Sequence, residues 1–174
     1  SFVFQDVYLF NQSIRDNIKI GFPEAPDEDV VNAAKAACCD EFITNLPDGY
    51  DTVLGEGGIH LSGGEAQRIS IARAIIRNTP VLVLDEATAF ADPENERLIQ
   101  TALRRLMENR TVIIIAHRLG TIKDADNILV MDKGKLVESG THQVLLQAGS
   151  LYSDMWMRYT QSLEWGIGKE IVIS

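Results

Sequence analysis

Two neighbouring stretches constrain the fold most: Ile59-His60-Leu61-Ser62-Gly63-Gly64-Glu65-Ala66-Gln67-Arg68 and Val81-Leu82-Val83-Leu84-Asp85-Glu86. Ser62 and Glu65 stand at capping-box spacing, so Ser62 can serve as the N-cap of a helix. Gly63 and Gly64 bring bare backbone N–H groups to that helix start. Unpaired N–H groups and the helix dipole together make such a terminus an anion site. The second stretch is four apolar residues preceded by Pro80 and followed by two acids. A short β-branched and leucine run of this kind reads as a buried parallel strand. Its carboxylates emerge at the C-terminal end, where ligands bind in open α/β sheets. One acid can hold a magnesium ion while its neighbour orients a water.

Each stretch alone has a plainer explanation. Ser-x-x-Glu often only starts a helix, and an acidic pair after a strand is often a solvated turn. In this order and this close together they are far more specific. Leu61-Ser62-Gly63-Gly64-Glu65 resembles the signature motif of ATP-binding cassette (ABC) ATPases. Val81 to Glu86 resembles their Walker B strand with its catalytic glutamate.

Other segments extend the resemblance in chain order. Phe2-Val3-Phe4 reads as a strand, and Gln5 after it resembles the Q-loop glutamine, which contacts the magnesium site and the attacking water. Val7 to Ile18 is similar to the segment that follows the Q-loop in exporters. By that resemblance Tyr8 and Phe10 would meet a coupling helix of a transmembrane domain; the plain alternative makes them core residues. Asp51 to Gly58 resembles the loop before the signature in exporters, with Leu54 in a valine-like place. Ala89-Phe90-Ala91-Asp92 stands where the family carries the Ser-Ala-Leu-Asp D-loop. Only Asp92 is kept there, and with Pro93 it also makes a good N-cap and N1 pair. His117, after the apolar strand Thr111 to Ala116, resembles the switch histidine that donates to the γ-phosphate.

Periodicity supplies the rest. One helix is expected from Asp27, its cap, to near Asn45, burying Val30, Val31, Ala34, Ala37, Cys38 and Phe42. The signature helix should run from about Gly63 to Arg77 with a stripe of Ile69, Ala72 and Ile76, and should end at Asn78 and Pro80. Arg68 and Arg73 are expected to pair with nearby acids. A helix burying Leu98, Ile99, Ala102, Leu103, Leu106 and Met107 should follow. Strands are expected over Asn127 to Met131 and Lys135 to Glu138, then helices carrying Leu145 and Tyr159. Trp165 to Ser174 matches nothing. His60 and His142 receive no role.

Composition bounds the partners. The net charge of −9 argues against a nucleic-acid surface or a polybasic membrane patch. Hydrophobic content of 45% is ordinary for a globular domain, and no apolar run approaches a membrane span. The adjacent Cys38 and Cys39 have neither disulfide nor metal-ligand spacing, which favours a reducing compartment. The start at Ser1, inside a strand, reads as a piece of something longer.

One family element is missing. No Gly-x-x-x-x-Gly-Lys-[Ser/Thr] Walker A loop occurs; its nearest approach, Gly166 to Glu170, has Leu163 where the first glycine must be. In the family that loop lies upstream of the Q-loop, so it would precede Ser1. The fold expected is α/β: a P-loop NTPase-type parallel sheet, incomplete for want of the Walker A strand, with an α-helical signature subdomain. Residues 1–10 and 79–160 would form the partial ATPase core, 11–78 the helical subdomain and 161–174 a tail.

The resemblance implies the ATP-hydrolysing domain of an ABC exporter at the cytoplasmic face of a membrane, inactive as this fragment. Two such domains would pair head to tail, as a homo- or heterodimer, beneath transmembrane domains. Each ATP would sit against Leu61, Ser62, Gly63, Gly64 and Glu65 of one domain and Walker A of the other. Asp85, with Gln5, would serve Mg²⁺; Glu86 and His117 would be catalytic, and Asp92 would lie at the dimer interface. A chromosome-maintenance ATPase and a non-catalytic module that donates only the signature face are the alternatives. The lack of a heptad run and the presence of His117 argue against the first. Retention of Glu86 and His117 argues against the second.

Overall fold

A computed structural model describes residues 1–4, 6–55, 57–85, 93–116 and 119–164. Gln5, Glu86, Asp92 and His117 lie outside the described residues, as do the D-loop segment and the Gly166 to Glu170 stretch. The chain divides into two compact units, Ser1–Ile115 and Ala116–Ser174.

The first unit is built on a three-stranded parallel sheet in the order β1 (Phe2–Val3), β2 (Val81–Asp85), β3 (Thr111–Ile115). Between β1 and β2 the chain forms α1 (Ile14–Lys19), α2 (Asp27–Ala36), α3 (Asp40–Thr44) and α4 (Gly63–Arg77). Between β2 and β3 it forms α5 (Pro93–Met107), with Pro93 at the first helical position as expected. Val3, Leu82 and Leu84 turn one sheet face into a core shared with Ile14, Ile18, Ile43, Ile69, Ile99 and Leu106 from the helices.

Three details of the first unit depart from the expectations. The single helix over 27–45 is two, because Cys38 takes a left-handed conformation at φ 56. That turn shifts the helical phase, so Cys39 and Ile43 are buried rather than Cys38 and Phe42. Asp27 is the first residue of α2 and Pro26 holds the cap position. The continuous apolar run of β3 reads as a buried strand, but β3 lies exposed at the edge that a sheet lacking the Walker A strand is expected to leave. Ile113, Ile114 and Ile115 are 52, 41 and 48% exposed.

Gly21 shows how tightly α1 meets α4. A Cβ there would fall 2.2 Å from the Arg73 carbonyl oxygen, so only glycine lets the chain leave α1 against that helix.

The second unit carries β4 (Ile128–Asp132) and β5 (Lys135–Gly140), then α6 (His142–Ala148) and α7 (Leu151–Glu164). Asn127 to Met131 is expected to join the parallel sheet, but among the described residues β4 pairs antiparallel with its sequence neighbour β5, in a sheet of its own. Lys133 and Gly134 join the two strands with φ of 47 and 73°, the conformation a two-residue hairpin turn needs. Glu138 accepts from the Leu151 and Tyr152 amides at 2.7 and 3.2 Å, so β5 caps the start of α7. Ile128, Val130, Leu145 and Tyr152 form the core of this unit. His142 has a packing role there: Nδ1 lies 2.8 Å from the Tyr152 hydroxyl, and its ring meets Trp156 edge-on.

Candidate functional site

The helix start marked out by sequence is fully capped. The Ser62 hydroxyl oxygen accepts from the Glu65 amide at 3.3 Å, and Glu65 Oε2 accepts from the Ser62 amide at 2.8 Å. The Ser62 hydroxyl also donates to that carboxylate at 2.8 Å. Ser62 and Gly63 stand exposed, while Leu61 packs against the core and Glu65 is half-buried. A long helix thus opens on an exposed serine and an exposed glycine, which suits an incoming anion.

Gly64 faces the other way. It is buried, and a Cβ on it would lie 2.8 Å from Asn95 Cγ and 2.9 Å from Asn95 Cβ. The second glycine therefore serves the approach of α4 to α5. Arg68 donates to Asn95 Oδ1 and lies over the Phe42 ring, 5.3 Å from its centroid.

Asp85 ends β2, paired with Ile115 and half-buried. Its carboxylate is thus placed at the C-terminal edge of the parallel sheet, where an open α/β sheet offers charge to a ligand. Its oxygen donors suit a hard divalent cation. Glu86 follows it directly in the sequence.

Two segments that precede the signature helix in sequence meet in space. Ile14 N donates to the Thr52 carbonyl at 3.0 Å, Leu54 N to the Gln12 carbonyl at 3.0 Å, and Arg15 Nε to Asp51 Oδ1 at 3.0 Å. Beside them Tyr8 and Phe10 form an edge-to-face pair with centroids 4.9 Å apart. They are 70 and 45% exposed, so they are surface aromatics and not core residues.

Arg73 pairs with carbonyls and an amide rather than with acids. It donates to Tyr8 O and Asn17 O, both at 2.7 Å, and to Asn17 Oδ1. Burial lowers its pKa to about 10, which leaves it charged at neutral pH. Asn17 is fully buried and closes the loop before it, accepting from Phe10 N at 2.9 Å and donating to Phe10 O at 3.0 Å. The sequence carried a signal for this: Asn17 sits three residues after Ile14 and next to Ile18, so a polar group falls on the buried face of α1. Cys39 is buried, and burial raises its thiol pKa well above the ordinary value, so it stays an inert thiol.

An open parallel sheet with an acid at its carboxyl edge, preceded by a glycine-opened, capped helix, defines an α/β domain equipped for anionic ligands. The chain belongs to the ABC transporter family, whose model matches residues 1–89. It is 56% identical over 155 residues to the ATP-dependent lipid A-core flippase of Acinetobacter baylyi, covering 88% of this chain and 27% of that protein. It is also 56% identical over 155 residues to a mycobactin import ATP-binding/permease protein of Mycolicibacterium thermoresistibile, covering 89% of this chain and 17% of that protein. A solved bacterial Atm1-family ABC exporter with ATP bound superposes with a TM-score of 0.79 at 48% identity, covering 91% of this chain and 28% of that one. The chain therefore spans about a quarter or less of the length of these relatives.

Proposed function

We propose that this chain is part of the ATP-hydrolysing domain of a membrane exporter, working at the cytoplasmic face beneath transmembrane domains. The observation that carries the reading is the exposed Ser62 and Gly63 at the mouth of a capped helix. They stand exposed to solvent, as a face offered to a nucleotide held elsewhere must. ATP is then the substrate, held by the Walker A loop of a second ABC domain that docks head to tail. Leu61, Gly64 and Glu65 hold Ser62 and Gly63 in place.

At the chain's other nucleotide site, Asp85 and Gln5 would hold Mg²⁺. When bound, the metal neutralises phosphate charge. Glu86 polarises the attacking water, His117 donates to the γ-phosphate, and Asp92 lies at the dimer interface. Residues 1–10 with 79–160 serve as the ATPase core, 11–78 as the helical arm and 161–174 as a tail. Tyr8 and Phe10 are offered to the transmembrane domains. Their exposure and their support from Asn17 suit a docking surface. No helix among the described residues is long and apolar enough to cross a membrane.

Export follows the flippase and the exporter among the relatives, although the mycobactin relative is named for import. Relatives named as transporters favour this reading over a chromosome-maintenance ATPase. The test is Glu86→Gln in the intact protein. Removing the base while keeping Asp85 should lower turnover by about 10²–10⁴-fold and leave ATP binding in place. Turnover near that of the parent protein would refute the reading.

A further inference from the structure

The helix that opens on Ser62 makes two contacts that the proposed reaction does not use. Gln67 is fully buried, and its Nε2 donates to the Phe4 carbonyl at 3.4 Å. Its Oε1 is buried with no hydrogen-bond partner. An orphaned amide oxygen is a cost that methionine or leucine would not carry in the same space, so the donor is what the position uses. Six residues along α4, Arg73 donates to Tyr8 O and Asn17 O, both at 2.7 Å, and its guanidinium lies 5.8 Å from the Phe10 ring centroid. At 1.5 Å per residue, the two anchor points are about 9 Å apart along the helix.

Phe4 and Tyr8 stand on either side of Gln5 in the sequence. The backbone on both sides of that glutamine is therefore tied to one helix, and the second tie also holds the loop closed by Asn17. We propose that Gln67 and Arg73 are positioning residues that fix the segment bearing Gln5, Tyr8 and Phe10 to the helix bearing Ser62. A shift at the nucleotide-facing end of α4 then reaches that segment as one rigid movement. The inference rests on the reading of Ser62 and Gln5 given above.

The test uses the intact protein with Gln67→Met and Arg73→Lys, singly and together. Methionine keeps the shape of glutamine and removes the donor; lysine keeps the charge but cannot fork to several acceptors. Hydrogen exchange over residues 7–12 should become several-fold faster in each single variant, with residues 69–72 of α4 unchanged. In ATP hydrolysis kcat should fall about 10- to 10²-fold, the scale of a small misplacement of a reacting group, with KM for ATP within about twofold. The double variant should turn over no more slowly than the slower single one, because both ties hold the same segment.

Unchanged exchange in both variants overturns the tether. Faster exchange with an unchanged kcat overturns the positioning role, as does a loss expressed only in KM. If Arg73→Lys does not fold, the near-isosteric Gln67→Met carries both readings. If the parent protein hydrolyses no ATP, the reading under Proposed function fails, and hydrogen exchange still decides the tether.

Discussion

The two glycines of the signature stretch do different work. Gly63 is exposed at the helix mouth, while Gly64 is buried against Asn95 at the start of α5. Gly64→Ala should therefore act first on folding. The added methyl meets Asn95 Cβ and Cγ inside normal contact distance, and Asn95 is itself held by Arg68. Overpacking of this kind costs about 1–3 kcal/mol, which a denaturant titration of the domain would read as a lower midpoint. An unchanged midpoint would mean that α5 moves aside freely. The cap at Ser62 was legible from sequence because a capping box is settled within four residues. The partners of Arg73 were not legible. They lie on α1 and the loop before it, more than fifty positions away, and nothing local distinguishes a guanidinium meant for carbonyls from one meant for acids.

Among the elements, α1 and α2 are clamped by charge. Asp27 receives Lys19 at 2.9 Å and Arg15 at 2.8 Å. The hydrogen bond from Lys19, with help from Arg15, holds the Asp27 carboxyl below its ordinary pKa of 3.8. Because the folded pKa is the lower one, the contribution to stability is fully present above pH 3.8. It is lost as the pH falls through the folded value. Asp27→Asn should therefore leave a smaller decline in stability below pH 4 than the parent shows, and the difference should shrink in high salt, since the pair is exposed. Acid titrations that superpose for the two proteins would contradict this. The same region shows where periodicity fails: an apolar spacing that continues through residues 27–45 cannot report that Cys38 turns left-handed. By contrast, the end of α4 at Asn78, with φ 48, was legible because asparagine tolerates that conformation.

At the scale of the molecule, the helices of the first unit cover one face of its parallel sheet and leave the other face bare. Phe2, Val81, Ile113 and Ile115 lie on the open side, at 62, 44, 52 and 48% exposure. Parallel sheets are ordinarily covered on both faces, and β3 also leaves an unpaired edge. This chain alone should therefore self-associate, and Ile113→Lys should reduce the association without disturbing the core beneath. Sedimentation velocity would show it; a monomeric parent would refute the expectation. The apolar run of β3 could be read as a strand from sequence, and its open edge followed from the missing Walker A strand, but the bareness of its outer face could not be read, because that depends on what lies above it.

The central claim is that Ser62 serves a nucleotide held by another domain. Glycine at an N-cap costs only a few tenths of a kcal/mol relative to serine, so Ser62→Gly removes the hydroxyl and keeps the helix. In the intact protein its turnover of ATP should fall about 10²–10³-fold, as for loss of one charge-stabilising donor. Its affinity for ATP without turnover, measured by equilibrium titration, should stay within about twofold of the parent's, since uniform ATP binding is carried by the other domain. Turnover like the parent's, or an affinity lost in step with turnover, would contradict the account.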